Sequence, residues 1–154
     1  MLPMTGRLIA VDWGDRRIGL ALSDDAQILA SPLDTLVRRL GKRFPVPRFL
    51  ELIAQHHPVG VVVGLPLSGE GAEEASALAA REMAGTIAGR SGLPVELWDE
   101  RMSTARALRV IREQGGSTRG RREAVDALAA AVLLQHFMEA RRGQRAEPVE
   151  PADR

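Results

Sequence analysis

The spacing of the apolar segments constrains the fold of this chain more than any other feature. Three strand-like segments follow one another at residues 8–13, 18–23 and about 28–37, and the gaps between them are short and rich in turn formers. Gaps this short permit antiparallel hairpins, whereas a crossover connection needs a dozen or more residues. The first part of the chain is therefore expected to form a three-stranded antiparallel sheet.

The rest of the chain alternates between strand-like and helical patterns. The predicted strands lie at 59–66 and 93–98, and the predicted helices at 49–57, 72–90, 103–114 and 124–142. Two successive strand–helix units imply parallel strands with right-handed crossovers. The predicted fold class is α/β, with a mixed five-stranded sheet, three antiparallel strands followed by two parallel ones, flanked by helices.

The length of 154 residues suits one domain with a sizeable core. We predict a single domain over 1–141 and a flexible C-terminal tail over 142–154, because the last residues lack a periodic apolar pattern. No segment has the roughly 18 consecutive apolar residues of a membrane span, and no signal peptide is recognisable. The expected location is the cytoplasm, without a membrane partner, and the apolar helices leave a homodimer open.

Composition excludes several kinds of site. The chain has no cysteine, which excludes disulfides, thiolate metal sites and cysteine nucleophiles. The net charge is only +1, so a nucleic-acid surface would have to be local. Two basic patches qualify, the second in a glycine-punctuated loop predicted at 115–123. The patches consist of Arg38, Arg39, Lys42, Arg43 and Arg48, and of Arg119, Arg121 and Arg122.

Asp12 is the first candidate for a functional carboxylate. The period of two along a strand places Asp12 on the same face as Leu8 and Ala10, so an acid continues an apolar row. A charged side chain beside a core needs a partner. The alternative is an aspartate that merely belongs to a hairpin turn, where this residue type is common.

Asp126 is the second candidate and lies in the last predicted helix. Helical spacing places it on one stripe with Ala130, Leu133 and Phe137. An ionised carboxylate on such a face is costly unless it is paired or bound to a cation. The alternative is that the helix dipole tolerates Asp126 near the helix start and that a nearby arginine pairs with it.

A third acid follows the second parallel strand, at the edge where open sheets bind ligands. Strand alternation places Glu100 on the same face as Glu96 and Trp98. A twisted strand end would disturb this alternation, so Asp99 and Glu100 both stay candidates. A surface salt bridge to Arg101 is the alternative. Three carboxylates and few histidines favour a hard cation such as Mg²⁺ or Mn²⁺. Two such ions about 4 Å apart would suit phosphodiester hydrolysis.

Four motifs in this order make the chain resemble the YqgF, or RuvX, family of the RNase H-like superfamily, whose members are described as Holliday-junction-resolvase-like and as pre-16S rRNA nucleases. The resemblance covers residues 7–139. The motifs are VDWGDRRIGLALSD, VVVGLPLSGEG, WDERMST and VDALAAAVLLQHF.

The resemblance implies an RNase H-like fold and a metal-dependent nuclease. It assigns Asp12, Glu100 and Asp126 as catalytic residues and as ligands of two Mg²⁺ or Mn²⁺ ions. It further implies that arginines near the site contact nucleic acid, namely Arg16, Arg17, Arg101, Arg121 and Arg122.

The expected function is hydrolysis of structured RNA in 5′-end maturation of pre-16S rRNA. Alternatives are a Holliday-junction-type DNA resolvase and an inactive nucleic-acid-binding module. An ATPase of the actin and sugar-kinase type fits less well, because such enzymes enclose nucleotide between two domains of this kind and 154 residues supply one.

Overall fold

The structure is a computed structural model. It describes residues 2–13, 17–37, 44–65, 71–99 and 119–145, with the backbone alone at 71–76, 99, 119–124 and 143–145.

A mixed five-stranded sheet forms the centre of the fold. The strands are β1 (Leu8–Trp13), β2 (Arg17–Ser23), β3 (Ala30–Val37), β4 (Gly60–Leu65) and β5 (Val95–Asp99). Their order in the sheet is β3-β2-β1-β4-β5. The pairs β1–β2 and β2–β3 are antiparallel, and β1–β4 and β4–β5 are parallel. The predicted sheet, three antiparallel strands followed by two parallel ones, is confirmed.

Helices cover both faces of this sheet. They are α1 (Val46–His56), α2 (Gly71–Ser91) and α3 (Arg119–Arg145). Apolar side chains of α1 and α2 pack with Ile9 and Val11 on one face of β1. Side chains of α3 pack with Leu8 and Ala10 on the other face. None of these described helices is long and apolar enough to cross a membrane.

Helix α3 is longer than the sequence predicted. It begins at Arg119, inside the segment predicted as a basic loop, and ends at Arg145. The prediction relied on glycine as a loop signal, but one glycine inside a helix, here Gly120, costs only about 1 kcal/mol, which packing elsewhere along a long helix offsets. The division into a domain over 1–141 and a tail stays a prediction, although the helix continues through the first residues assigned to the tail.

Helix α1 also begins earlier than predicted, at Val46 rather than at residue 49. Pro45 is its N-cap residue, and another proline lies in its first turn. Proline suits this position because its missing N–H is not needed in the first turn of a helix. The prediction took the prolines as loop residues. The helix predicted at 103–114 lies outside the described residues.

Asp24 holds the turn between β2 and β3. The backbone N–H groups of Ile28 and Leu29 donate to its Oδ1 at 2.7 and 3.0 Å. The hydrogen bond from Leu29 is the largest of the causes that lower the pKa of the Asp24 carboxyl from its usual value. Since these donors favour the charged carboxylate, they stabilise the folded protein more when Asp24 is ionised than when it is protonated.

We expect Asp24→Asn to lower the free energy of unfolding at pH 7 by at most about 1 kcal/mol, because the carboxylate is exposed and screened. The difference from the wild type should be complete above about pH 4, the ordinary pKa of aspartate, and should shrink as the pH falls through the lowered pKa of the folded state. Denaturant unfolding at several pH values checks this. A difference that grows on acidification would contradict it, and Asp25→Asn, at the exposed neighbouring acid, is the control.

Candidate active site

Asp12 lies near the carboxyl end of β1, on the face that α3 covers. Leu8 and Ala10 precede it on this face and belong to the apolar cluster around α3. Asp12 is fully buried. The sequence prediction that an acid continues this buried row is therefore confirmed, and the turn interpretation of Asp12 is wrong because the residue lies within the strand.

Gly19 of β2 allows α3 to approach the sheet beside Asp12. Asp12 and Gly19 are opposite each other in the antiparallel β1–β2 pair. A Cβ atom at Gly19 would collide with the backbone carbonyl group of Asp126 in α3. Opposite positions of such a pair project to the same face, with Cβ positions about 5 Å apart. Asp12 and the backbone of Asp126 are therefore neighbours on one face of the sheet.

Asp126 is the second fully buried acid and forms an ion pair with Arg17. The Nε–H group of Arg17 donates to Oδ2 of Asp126 at 2.5 Å. Arg17 precedes Gly19 by two residues in β2, so its side chain projects to the same face. The Asp126 side chain is 0% exposed and that of Arg17 is 21% exposed. A charge-assisted hydrogen bond thus compensates for the burial of the carboxylate.

The faces of β5 bear on the choice of the third acid. Trp98 makes an edge-to-face contact with Phe137 of α3, with ring centroids 5.5 Å apart. Glu96 is paired with Val62, which belongs to the α3 cluster. The intervening Leu97 packs against the cluster on the other face. Even-numbered positions of β5 therefore face α3.

The structure brings together some of the predicted site residues and does not describe others. Asp12, Asp126 and Arg17 lie together at the carboxyl end of β1. Arg121 and Arg122 lie on the first turns of α3, where their backbone alone is described. Those outside the described residues are Arg16, Glu100 and Arg101. Within the described part of the chain, no three acidic or histidine side chains form a metal-binding group.

Two features of the site were missed by the sequence predictions. The alternative for Asp126 anticipated an arginine partner but did not identify Arg17, which was assigned to nucleic acid. Gly19 was not singled out at all. A glycine inside a strand indicates close approach of another backbone, and this signal is present in the sequence.

The chain is similar to known proteins over most of its length. Residues 6–140 match the RuvX family, whose description is Holliday junction resolvase. A protein of Koribacter versatilis with the provisional name pre-16S rRNA nuclease is 44% identical over 144 residues, which cover 94% of each chain. A protein of Pelotomaculum thermopropionicum with the same provisional name is 39% identical over 141 residues, which cover 92% of each chain.

Solved structures share the fold. The RuvC protein of Thermus thermophilus in complex with Holliday junction substrate superposes with a TM-score of 0.53 at 20% identity, covering 90% of this chain and 96% of that chain. A second Thermus thermophilus RuvC structure gives a TM-score of 0.50 at 20% identity, with 89% and 96% covered. The predicted RNase H-like fold is thereby confirmed. Since the family match and the 44% identical relative each span most of the sequence, this chain belongs to the RuvX family.

Proposed function

We propose that this protein is a divalent-metal-dependent nuclease that hydrolyses phosphodiester bonds in structured RNA, in 5′-end maturation of pre-16S rRNA. The observation that carries the proposal is the pair of fully buried acids on one face of the sheet, with the backbone of Asp126 next to Asp12, in a chain of the RuvX family. The provisional names of the relatives support the RNA substrate.

The donor set fits Mg²⁺ or Mn²⁺. Asp12 and Asp126 offer carboxylate oxygens, which hard divalent cations prefer, and the described residues around them contribute no sulfur ligand. A compensating positive charge stabilises a buried carboxylate. Arg17 beside Asp126 shows that the site accepts a positive charge, and a bound cation would supply one as well. We therefore propose that Asp12 and Asp126 hold the metal, as two ions together with a third acid.

Glu100 is our choice for the third acid. Glu96 and Trp98 face α3, so the alternation of β5, continued by one more step, favours position 100 over Asp99 for the face that carries Asp12 and Asp126. The same strand also ends at the edge where the carboxyl ends of parallel strands meet.

The arginines and acids have separate tasks in this proposal. When bound, the ions supply Lewis-acid stabilisation of the charge on the phosphate as the phosphodiester bond breaks. Asp12, Glu100 and Asp126 would hold the ions, and strand β1 and helix α3 position Asp12 and Asp126. The guanidinium fork matches phosphate oxygens, so we propose that five arginines bind the backbone of the substrate. These arginines are Arg16, Arg17, Arg101, Arg121 and Arg122.

Branched DNA is the second candidate substrate, because the family description names Holliday junction resolvase. A catalytically inactive module is the third possibility, and the retention of buried Asp12 and Asp126 argues against it. Ribosomal RNA maturation implies a cytoplasmic location, which we propose as well. The homodimer stays a prediction that sedimentation of the purified protein checks.

The test is cleavage of a 5′-extended small-subunit rRNA precursor and of a four-way DNA junction, side by side. We expect cleavage of the RNA with Mn²⁺ or Mg²⁺ and a loss of at least about a hundredfold with chelator, because the stabilisation of phosphate charge is removed. Faster cleavage of the junction would indicate that branched DNA, and not the rRNA precursor, is the substrate. Binding without cleavage under every metal condition would contradict the nuclease and favour the inactive module.

A further inference from the structure

Arg17 and a metal ion bound by Asp126 would compete for the same carboxylate. Arg17 Nε lies 2.5 Å from Oδ2 of Asp126, within the fully buried surroundings of that carboxylate. In the proposed nuclease the carboxylate of Asp126 is a metal ligand. A guanidinium and a divalent cation on one buried carboxylate repel each other, because water screens their charges little at such a site.

We propose that Arg17 is an exchangeable counter-ion of Asp126: its guanidinium neutralises the carboxylate while the site lacks metal and leaves it when a divalent cation binds. This inference rests on the metal site of the proposed function. It differs from the role that the family resemblance implies for Arg17, because it assigns the residue a partner within the protein before any substrate is present.

The energetics of burial favour such an exchange. Asp126 is fully buried on an apolar stripe of α3, beside Ala129 and Ala130, so a positive partner strongly stabilises an ionised carboxylate there. Without metal, the arginine supplies that charge. With metal, the cation replaces it, and the buried carboxylate is never left without compensation.

The position of Arg17 allows it to move. It is the first residue of β2, and its side chain is part-exposed, whereas Asp126 is held by a long helix. A long, flexible side chain at a strand end can turn toward solvent at little cost in packing. The released guanidinium then lies at the edge of the site, where it can bind a phosphate of the substrate. Metal loading would thus prepare the protein for nucleic acid.

Calorimetric titration with Mn²⁺ tests the exchange without any cleavage assay. We expect Arg17→Gln to bind Mn²⁺ at least about tenfold more tightly than the wild type, because the competing charge is gone. Arg17→Lys keeps the charge and should stay within about threefold of the wild type. The matched control is Arg48→Gln, the same substitution in a surface ion pair with Asp34 and Glu51, which should leave Mn²⁺ affinity unchanged.

Thermal unfolding in chelator is a second test of the counter-ion role and uses the same variants. The Tm of Arg17→Gln should fall further than that of Arg48→Gln, because only Arg17 pairs with a fully buried carboxylate. Saturating Mg²⁺ should remove most of this difference, since the cation takes over the compensation of Asp126. An equal drop in both variants would overturn the counter-ion role.

NMR of the arginine Nε–H groups is a third test of the exchange and needs only the wild-type protein. We expect the Arg17 signal to be protected from hydrogen exchange in chelator and to lose that protection with Mg²⁺. A signal unchanged by saturating Mg²⁺ would overturn the exchange even if Arg17→Gln failed to fold.

The two proposals fail in distinguishable ways. If the wild type binds Mn²⁺ and Arg17→Gln binds it equally or more weakly, Arg17 is a fixed part of the site and only the exchange is wrong. If neither the wild type nor the variants bind Mn²⁺ or Mg²⁺, the metal site itself is wrong, and the proposed nuclease fails together with the exchange.

Discussion

Asp12→Asn is expected to lose at least about a thousandfold of the cleavage rate while the protein stays folded. The amide matches the carboxylate in shape, so the packing of β1 against α3 is preserved, but the negative charge that would hold a cation is removed. Single-turnover cleavage of the rRNA precursor, with circular dichroism as the check on folding, measures both quantities. Asp126→Asn is expected to lose cleavage to a similar extent.

The two variants should differ in stability. Asp126→Asn also removes the charge that pairs with Arg17, and we expect it to lower the free energy of unfolding by about 1.5–3 kcal/mol. Denaturant unfolding in chelator measures this. The control is Asp25→Asn, at an acid whose side chain is 85% exposed and whose contact to Arg7 is a loose 3.8 Å ion pair. It should cleave at the wild-type rate, and full activity of Asp12→Asn or Asp126→Asn would refute the site.

Gly19→Ala is expected to damage both stability and the site. The added Cβ meets the backbone carbonyl of Asp126, which cannot rotate away as a side chain would, so α3 must shift from the sheet. We expect a loss of about 3 kcal/mol in the free energy of unfolding, roughly 6–12 °C in Tm. Cleavage should fall as well, because Asp126 moves relative to Asp12. Thermal unfolding and single-turnover cleavage measure the two effects.

Gly85→Ala is the matched control for this substitution. Gly85 lies on α2, and no neighbouring atom lies within 4 Å of the position that a Cβ would occupy. Because alanine is the better helix former, this variant should be more stable than the wild type by about 0.5–1 kcal/mol and should cleave normally. If Gly19→Ala were as stable as the wild type, the close approach of α3 to β2 would not constrain the site.

Local patterns predicted most of the sheet correctly. The strand predicted at 8–13 is β1 itself, and the Val-rich run at 59–66 contains β4. A period of two and a short gap are properties of neighbouring residues, so they can be read without knowing the tertiary structure. Helix starts were predicted less well. Pro45 and Gly120 were taken as loop signals, but a proline is compatible with the start of a helix and the packing of a long helix offsets the cost of one glycine.

The sequence by itself determined the fold class, the position of Asp12 and Asp126 on apolar faces and, through the order of its motifs, the membership of the RuvX family. Only the tertiary structure decided that the backbone of α3 lies against Gly19 and that Arg17 pairs with Asp126, 109 residues further along the chain. Both contacts depend on where α3 crosses the sheet. That placement results from packing across the whole face, and no local pattern of residues encodes it.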